Sequence, residues 1–177
     1  MREVVLVGAG HTHSHVLRAW ASDPPGAASL TCVAPSAMAV YSGMLPGVVA
    51  GDYAERDMLI DIGRLAEGAS AKLVVGEALE LDPVSRLIHF ADRPPLQFDI
   101  ASIGIGSIPT FEGVTVGDPV RLVGIKPMSS FLARLGARLD GAVAARGGAS
   151  VRIAVVGGGA AGVEVALCLA PSIRARL

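Results

Sequence analysis

Two glycine-rich hexapeptides hold residue types at spacings suited to chemistry. Gly8-Ala9-Gly10-His11-Thr12-His13 lies near the start, and Gly157-Gly158-Gly159-Ala160-Ala161-Gly162 lies 149 residues further on. Each follows an apolar run and precedes a helical pattern, the context in which G-x-G-x-x-G signals a pyrophosphate turn. In such a turn the first glycine permits the sharp reversal, the second lets the backbone approach the phosphates, and the third lets the helix pack close to the strand. The helix N-terminus adds free N–H groups and about half a positive charge. The second copy is complete, whereas His13 stands in the place of the third glycine in the first. Candidate phosphate contacts are therefore Gly8, Ala9, Gly10 and His11 on one turn, and Gly157, Gly159 and Gly162 on the other.

The other reactive side chains form no catalytic grouping. His11 and His15 share a helical face at i, i+4, and imidazole suits zinc, nickel or copper. No carboxylate or cysteine near them in sequence completes a coordination sphere, so no metal is expected there, and His13 is expected to pack against strands. Cys32 and Cys168 have neither CxxC nor Cys/His ligand spacing, and such sparse cysteine suits a reducing compartment. Glu164 is the one acid inside the second glycine helix. No Ser-His-Asp arrangement can be drawn, so no catalytic residue is assigned.

The elements that position the turns follow from apolar periodicity. Val4 to Val7 reads as a strand buried on both faces, Ser14 to Ala21 as a helix, and Ser29 to Val33 as a second strand. Residues 34–53 are apolar but broken by Pro and Gly, and read as an irregular covering loop. Asp61 caps a helix through Gly68 and Ala71 to Val75 is a third strand, giving β-α-β-α-β. The period then changes to antiparallel strands at Ala78 to Leu81, Leu87 to Phe90 and from Leu96, leading into a buried strand that runs to Ile105. Ser130 to Ala145 is an amphipathic helix stopped by Gly147-Gly148, Val151 to Val156 a further buried strand, and Ala160 to about Ala170 the closing helix. The fold class expected is α/β, a doubly wound parallel sheet with an inserted antiparallel β-meander at about residues 77–98.

Composition narrows the function. The 177 residues carry 15 Lys plus Arg against 16 Asp plus Glu, a formal charge of -1 that argues against nucleic acid as partner. With 51% apolar residues the chain has ample material for a core. The most apolar stretch, Val151 to Ala170, is interrupted by Arg152, Glu164 and four glycines, so no membrane span is expected. The start lacks the pattern of a signal peptide, and the expected location is cytoplasmic.

With its two glycine turns, its meander and its Ile103-Gly104-Ile105-Gly106-Ser107 strand end, the chain resembles the pyridine nucleotide-disulfide oxidoreductase-like flavoproteins. These are related to type II NADH dehydrogenases, and the closer likeness is to members associated with selenide, water dikinase. Tyr41-Ser42-Gly43-Met44-Leu45-Pro46-Gly47, Arg93-Pro94-Pro95-Leu96, Lys126-Pro127 and Val155 to Glu164 extend the likeness. It implies an FAD/NAD(P)-binding Rossmann-like fold with FAD on the first turn, NAD(P)H on the second, and hydride passing through the flavin to an unnamed small-molecule acceptor. It also implies cofactor contacts at Ser42, Gly43, Ala78, Gly106 and Ser107, with Glu164 near the nicotinamide or flavin ring. The implied domains are 1–125 for FAD and 126–177 for the start of the NAD(P) domain.

Three departures qualify the likeness. The second strand ends Val33-Ala34-Pro35-Ser36 without the acid that holds an adenosine ribose, which leaves Ser36 or a backbone group to serve. The loop from Ser42 to Pro46 holds no redox cysteine pair. The chain also runs over about half the span of such enzymes, so it reads as their N-terminal part. Self-association is an expected consequence, and a nucleotide-binding module without electron transfer is the alternative function.

Overall fold

The computed structural model describes residues 1–113, 115–118, 121–145 and 150–174. They fall into two compact units, Met1–Tyr41 with Leu59–Gly106, and Ser42–Met58 with Ser107–Leu177. In chain order the elements are β1 (Arg2–Val7), α1 (His11–Ser22), β2 (Ala28–Ala34), β3 (Met38–Val40), α2 (Leu45–Ala50), β4 (Leu59–Asp61) and α3 (Ile62–Gly68). There follow β5 (Lys72–Val75), β6 (Ala78–Asp82), β7 (Leu87–Phe90), β8 (Leu96–Gln97), β9 (Ile100–Ile103), α4 (Met128–Ala145) and α5 (Ala160–Arg174).

The first unit is built on a four-stranded parallel sheet of order β5-β2-β1-β9. Its central strands β1 and β2 are rich in β-branched and aliphatic residues because both of their faces are covered. Side chains alternate between those faces. Leu6, Leu30, Cys32 and Ala34 join Leu17, Ile62 and Ala66 of α1 and α3 in one core. Val5, Val7, Val33 and Val74 join Ile88 and Phe98 of the meander region in the other. The meander β6-β7-β8 is antiparallel, and its first turn is held by Asp82, whose carboxylate accepts from the Val84 and Ser85 amides. Those bonds, with the Ser85 hydroxyl, hold the Asp82 carboxyl below its usual range. The cap expected on α3 is present, with Asp61 Oδ1 accepting from Arg64 N at 2.9 Å.

The structure corrects the sequence reading at four places. Residues 34–53 are more ordered than a loop: β3 pairs antiparallel with β4, and α2 forms after a 3-10 turn at Ser42–Met44. The strand expected from Leu96 to Ile105 is two. Phe98 N donates to Arg86 O and Asp99 N to Glu3 O, so the ladder passes from the meander to the parallel sheet between β8 and β9. Nor is β9 buried; as the edge strand it pairs only with β1 among the described residues, and Ile103 is 63% exposed. Val151–Val156 forms no strand, since no described segment of the second unit pairs with it. The Gly147-Gly148 stop lies outside the described residues.

In the second unit α2 packs against α5. Both bury an i, i+4 pair, Leu45 with Val49 and Val165 with Leu169. The helix α4 starts after the Lys126–Pro127 peptide, which is cis, and buries Phe131 and Leu139.

Candidate functional site

The sheet order places a switch point between β1 and β9. From β1 the chain winds outward through β2 and β5, then returns to the opposite side of β1. In open α/β sheets ligands settle outside the carboxyl ends of the strands at such a point. Val7 pairs with Val33 on one side and Ile103 on the other, so Gly8 and Gly104 leave the sheet side by side.

Packing makes the requirement for glycine different at each position of the first turn. Gly8 has φ +90°, and a Cβ there would lie 2.4 Å from the carbonyl oxygen of Gly104. Gly104 in turn faces His13, whose Cε1 would lie 2.7 Å from a Cβ. Gly10 is unlike both. Its φ is -74°, and the nearest atom to an added Cβ is ordinary contact at 3.6 Å. Protein packing therefore does not demand glycine at position 10.

His13 is 2% exposed and ties the switch point together. Its Nδ1 donates to Gly8 O, since a carbonyl only accepts, and its Nε2 meets Ser102 Oγ of β9 at 3.0 Å. The glycine missing from the third position of the motif is thus matched by Gly104, directly after the facing strand β9. Sequence reasoning missed this pairing, although the Ile-Gly-Ile-Gly run was its signal.

The helix that opens at the turn is free to receive an anion. Gly10 is the N-cap of α1, no side chain caps it, and its first turn carries no acid. Ser14 N returns to Gly10 O at 3.0 Å, and the Ser14 hydroxyl donates to the same oxygen. Outside the turn His11 stacks on Tyr41 with centroids 4.8 Å apart and meets His15 edge-on at 4.6 Å.

The second turn follows the same plan. Gly157 has φ +116°, and Gly158 and Gly159 have open space where a Cβ would project. A Cβ on Gly162 would lie 2.0 Å from Gly157 O, so this glycine is required for α5 to start against its own turn. Val163 N donates to Gly159 O at 3.1 Å.

The remaining candidates divide between the units. The first holds Gly8, Ala9, Gly10, His11, Ser36, Ala78 and Gly106. Ser36 follows β2 and its Oγ accepts from Met38 N, Ala78 opens β6, and Gly106 has φ +77° with open space around it. The second holds Ser42, Gly43, Ser107, Gly157, Gly159, Gly162 and Glu164. Ser42 and Gly43 form the 3-10 turn before α2, Ser107 Oγ accepts from Lys126 Nζ at 2.9 Å, and Glu164 is exposed on α5. Burial pushes the Cys32 thiol up from 9.0 to about 11, which removes it from nucleophilic chemistry. No described group of three or more His, Cys, Asp or Glu forms a metal cluster.

A parallel sheet wound outward in both directions from β1, with a glycine turn and helix at its switch point, defines the doubly wound Rossmann-like α/β class. Three solved structures that the chain resembles are named as redox proteins. The putidaredoxin reductase of a covalent complex with putidaredoxin matches with a TM-score of 0.72 at 16% identity, over 97% of this chain and 40% of its own. The NADH:rubredoxin oxidoreductase from Clostridium acetobutylicum matches at 0.64 and 19% identity, over 97% and 42%. The water-forming NADH oxidase from Lactobacillus brevis, bound to NADH, matches at 0.63 and 18%, over 97% and 38%. The chain thus spans about two fifths of the length of each of these proteins. No family model and no curated protein matches the sequence.

Proposed function

We propose that the chain is the FAD-binding part, with the beginning of the NAD(P)-binding part, of a flavoprotein oxidoreductase that takes hydride from NAD(P)H and passes electrons to a small-molecule acceptor. The observation that carries this reading is Gly10, a turn residue kept free of a side chain at the switch point although no protein atom requires it. The backbone from Gly8 to His11 and the uncapped start of α1 fit the pyrophosphate of FAD, and the Gly157–Gly162 turn fits that of NAD(P)H. FAD supplies the two-electron chemistry when bound, and the protein supplies binding and orientation. Ser36 takes the ribose in place of the absent acid, while Ser42, Gly43, Ala78, Gly106, Ser107 and Glu164 complete the cofactor contacts. The domains proposed are 1–125 and 126–177, the location is cytoplasmic, and the resemblance adds a functional link to selenide, water dikinase.

A non-catalytic nucleotide-binding module is the second reading. It is favoured by Val151–Val156, which leaves the second turn without a described strand beneath it. An electron-transfer assay separates the two. The 177-residue chain, loaded with FAD, is expected to reduce ferricyanide from NADH or NADPH far below the per-second rates typical of enzymes, because hydride transfer requires the two rings about 3 to 3.5 Å apart. A chain that continues with further β-α units is expected to reach such rates. Inactivity of that longer, flavin-loaded chain would establish the module reading.

A further inference from the structure

A second recess lies on the first unit along α1, from His11 and Ser14 at the glycine-turn end of the helix to Arg18. It has a volume of about 680 Å³, within the usual range for small-ligand sites. One wall is the face of α1 on which His11, His15 and Arg18 recur at i, i+4 and i+7. The other is α3, which supplies Arg64, with Tyr41 and Ile60 at the margin.

The electrostatics of this groove are one-sided. Arg18 and Arg64 are both exposed, and among the described residues neither side chain makes a hydrogen bond or an ion pair. Asp61 is the only carboxylate in the lining, and its Oδ1 is engaged as the cap of α3. The chain as a whole carries a formal charge of -1, so the local cationic excess is not a general property of the surface. Its aromatic groups are held in place: Tyr41 stacks on His11, and the two Nε2 atoms of His11 and His15 lie 3.1 Å apart, one donating to the other.

We propose that this groove, which shares only His11 with the proposed cofactor contacts, binds a phosphorylated small molecule in addition to the dinucleotide on the glycine turn. Two planar guanidiniums without partners suit the oxygens of a phosphate group, which each can engage in bidentate fashion. Ile60 and the ring of Tyr41 offer apolar surface to the organic body that carries the phosphate. Inorganic phosphate shares the recognised group and lacks that body.

Calorimetric titration of the full chain, saturated with FAD, with AMP and then with inorganic phosphate tests the proposal. AMP is expected to bind, and the Arg18→Ala/Arg64→Ala variant to weaken it at least tenfold while FAD affinity is unchanged. Gly10→Val is expected to lose FAD and keep AMP, so failure of the FAD assignment is read separately. Tighter AMP than phosphate supports an ester ligand, and equal binding supports the free anion. Both arginines are exposed, so circular dichroism of the double variant is expected to match the parent, and Arg18→Gln alone gives a second, milder measurement. Absence of binding by both probes, binding unaffected by the arginine changes, or AMP binding lost in Gly10→Val would overturn the proposal.

Discussion

Gly8, Gly10 and His13 show how one motif distributes three physical tasks. Gly8 is required by conformation and by the carbonyl of Gly104, so Gly8→Ala is expected to destabilise the fold by more than about 2 kcal/mol, as strain at a positive φ combined with a backbone clash does. Gly10→Ala meets only ordinary contact and is expected to cost less than about 1 kcal/mol. Urea unfolding of the two variants measures the contrast, and equal losses would show that both glycines serve packing alone. Cys32 gives a pH signature at the same scale. Its thiol is neutral in the fold up to about pH 11 but ionises in the unfolded chain near 9.0. Its contribution is therefore complete below pH 9 and falls away as pH rises toward 11, by about 2 kcal/mol, and Cys32→Ala should flatten that part of the stability curve. The glycine spacing, His13 against strands and the Asp61 cap were all legible in the sequence. The Gly104 partner of His13 was not, because its role depends on β9 crossing back beside β1, a contact between residues 91 positions apart.

At the level of elements, β1, β2 and β5 of the parallel sheet were readable from their apolar runs, largely buried in β1 and β2, whereas the exposed edge strand β9 was not. Local pattern failed where pairing decides. β3 and α2 are three and six residues long, too short for periodicity to register, and each is fixed by a partner, β4 and α5 respectively. The run Val151–Val156 has strand composition without a strand partner among the described residues, and Val156 is 86% exposed. Unpaired β-branched segments of this kind associate with other chains. Sedimentation of the purified chain is expected to show concentration-dependent self-association that Val155→Lys reduces. A monomer at all concentrations, in parent and variant alike, would remove this segment as the source of an interface.

Across the whole molecule, the sheet order and the two turns place this chain with structures more than twice its length, at sequence identities of 16–19%. Likeness at that level fixes the fold, while the cofactor rests on the turns themselves. The two turns differ in what surrounds them. The first stands at the switch point of a four-stranded sheet, and the second at the start of a helix with no described strand beneath it. Gly10 and Gly159 are nevertheless equivalent within their motifs, and a side chain is sterically tolerable at either position. The decisive measurement is a calorimetric titration of FAD into the parent chain, Gly10→Val and Gly159→Val, each checked for folding by circular dichroism. FAD is expected to bind the parent and Gly159→Val with equal affinity and to lose at least a hundredfold in Gly10→Val. Absence of binding to the parent, or loss in Gly159→Val with Gly10→Val unaffected, would contradict an FAD site on the first turn.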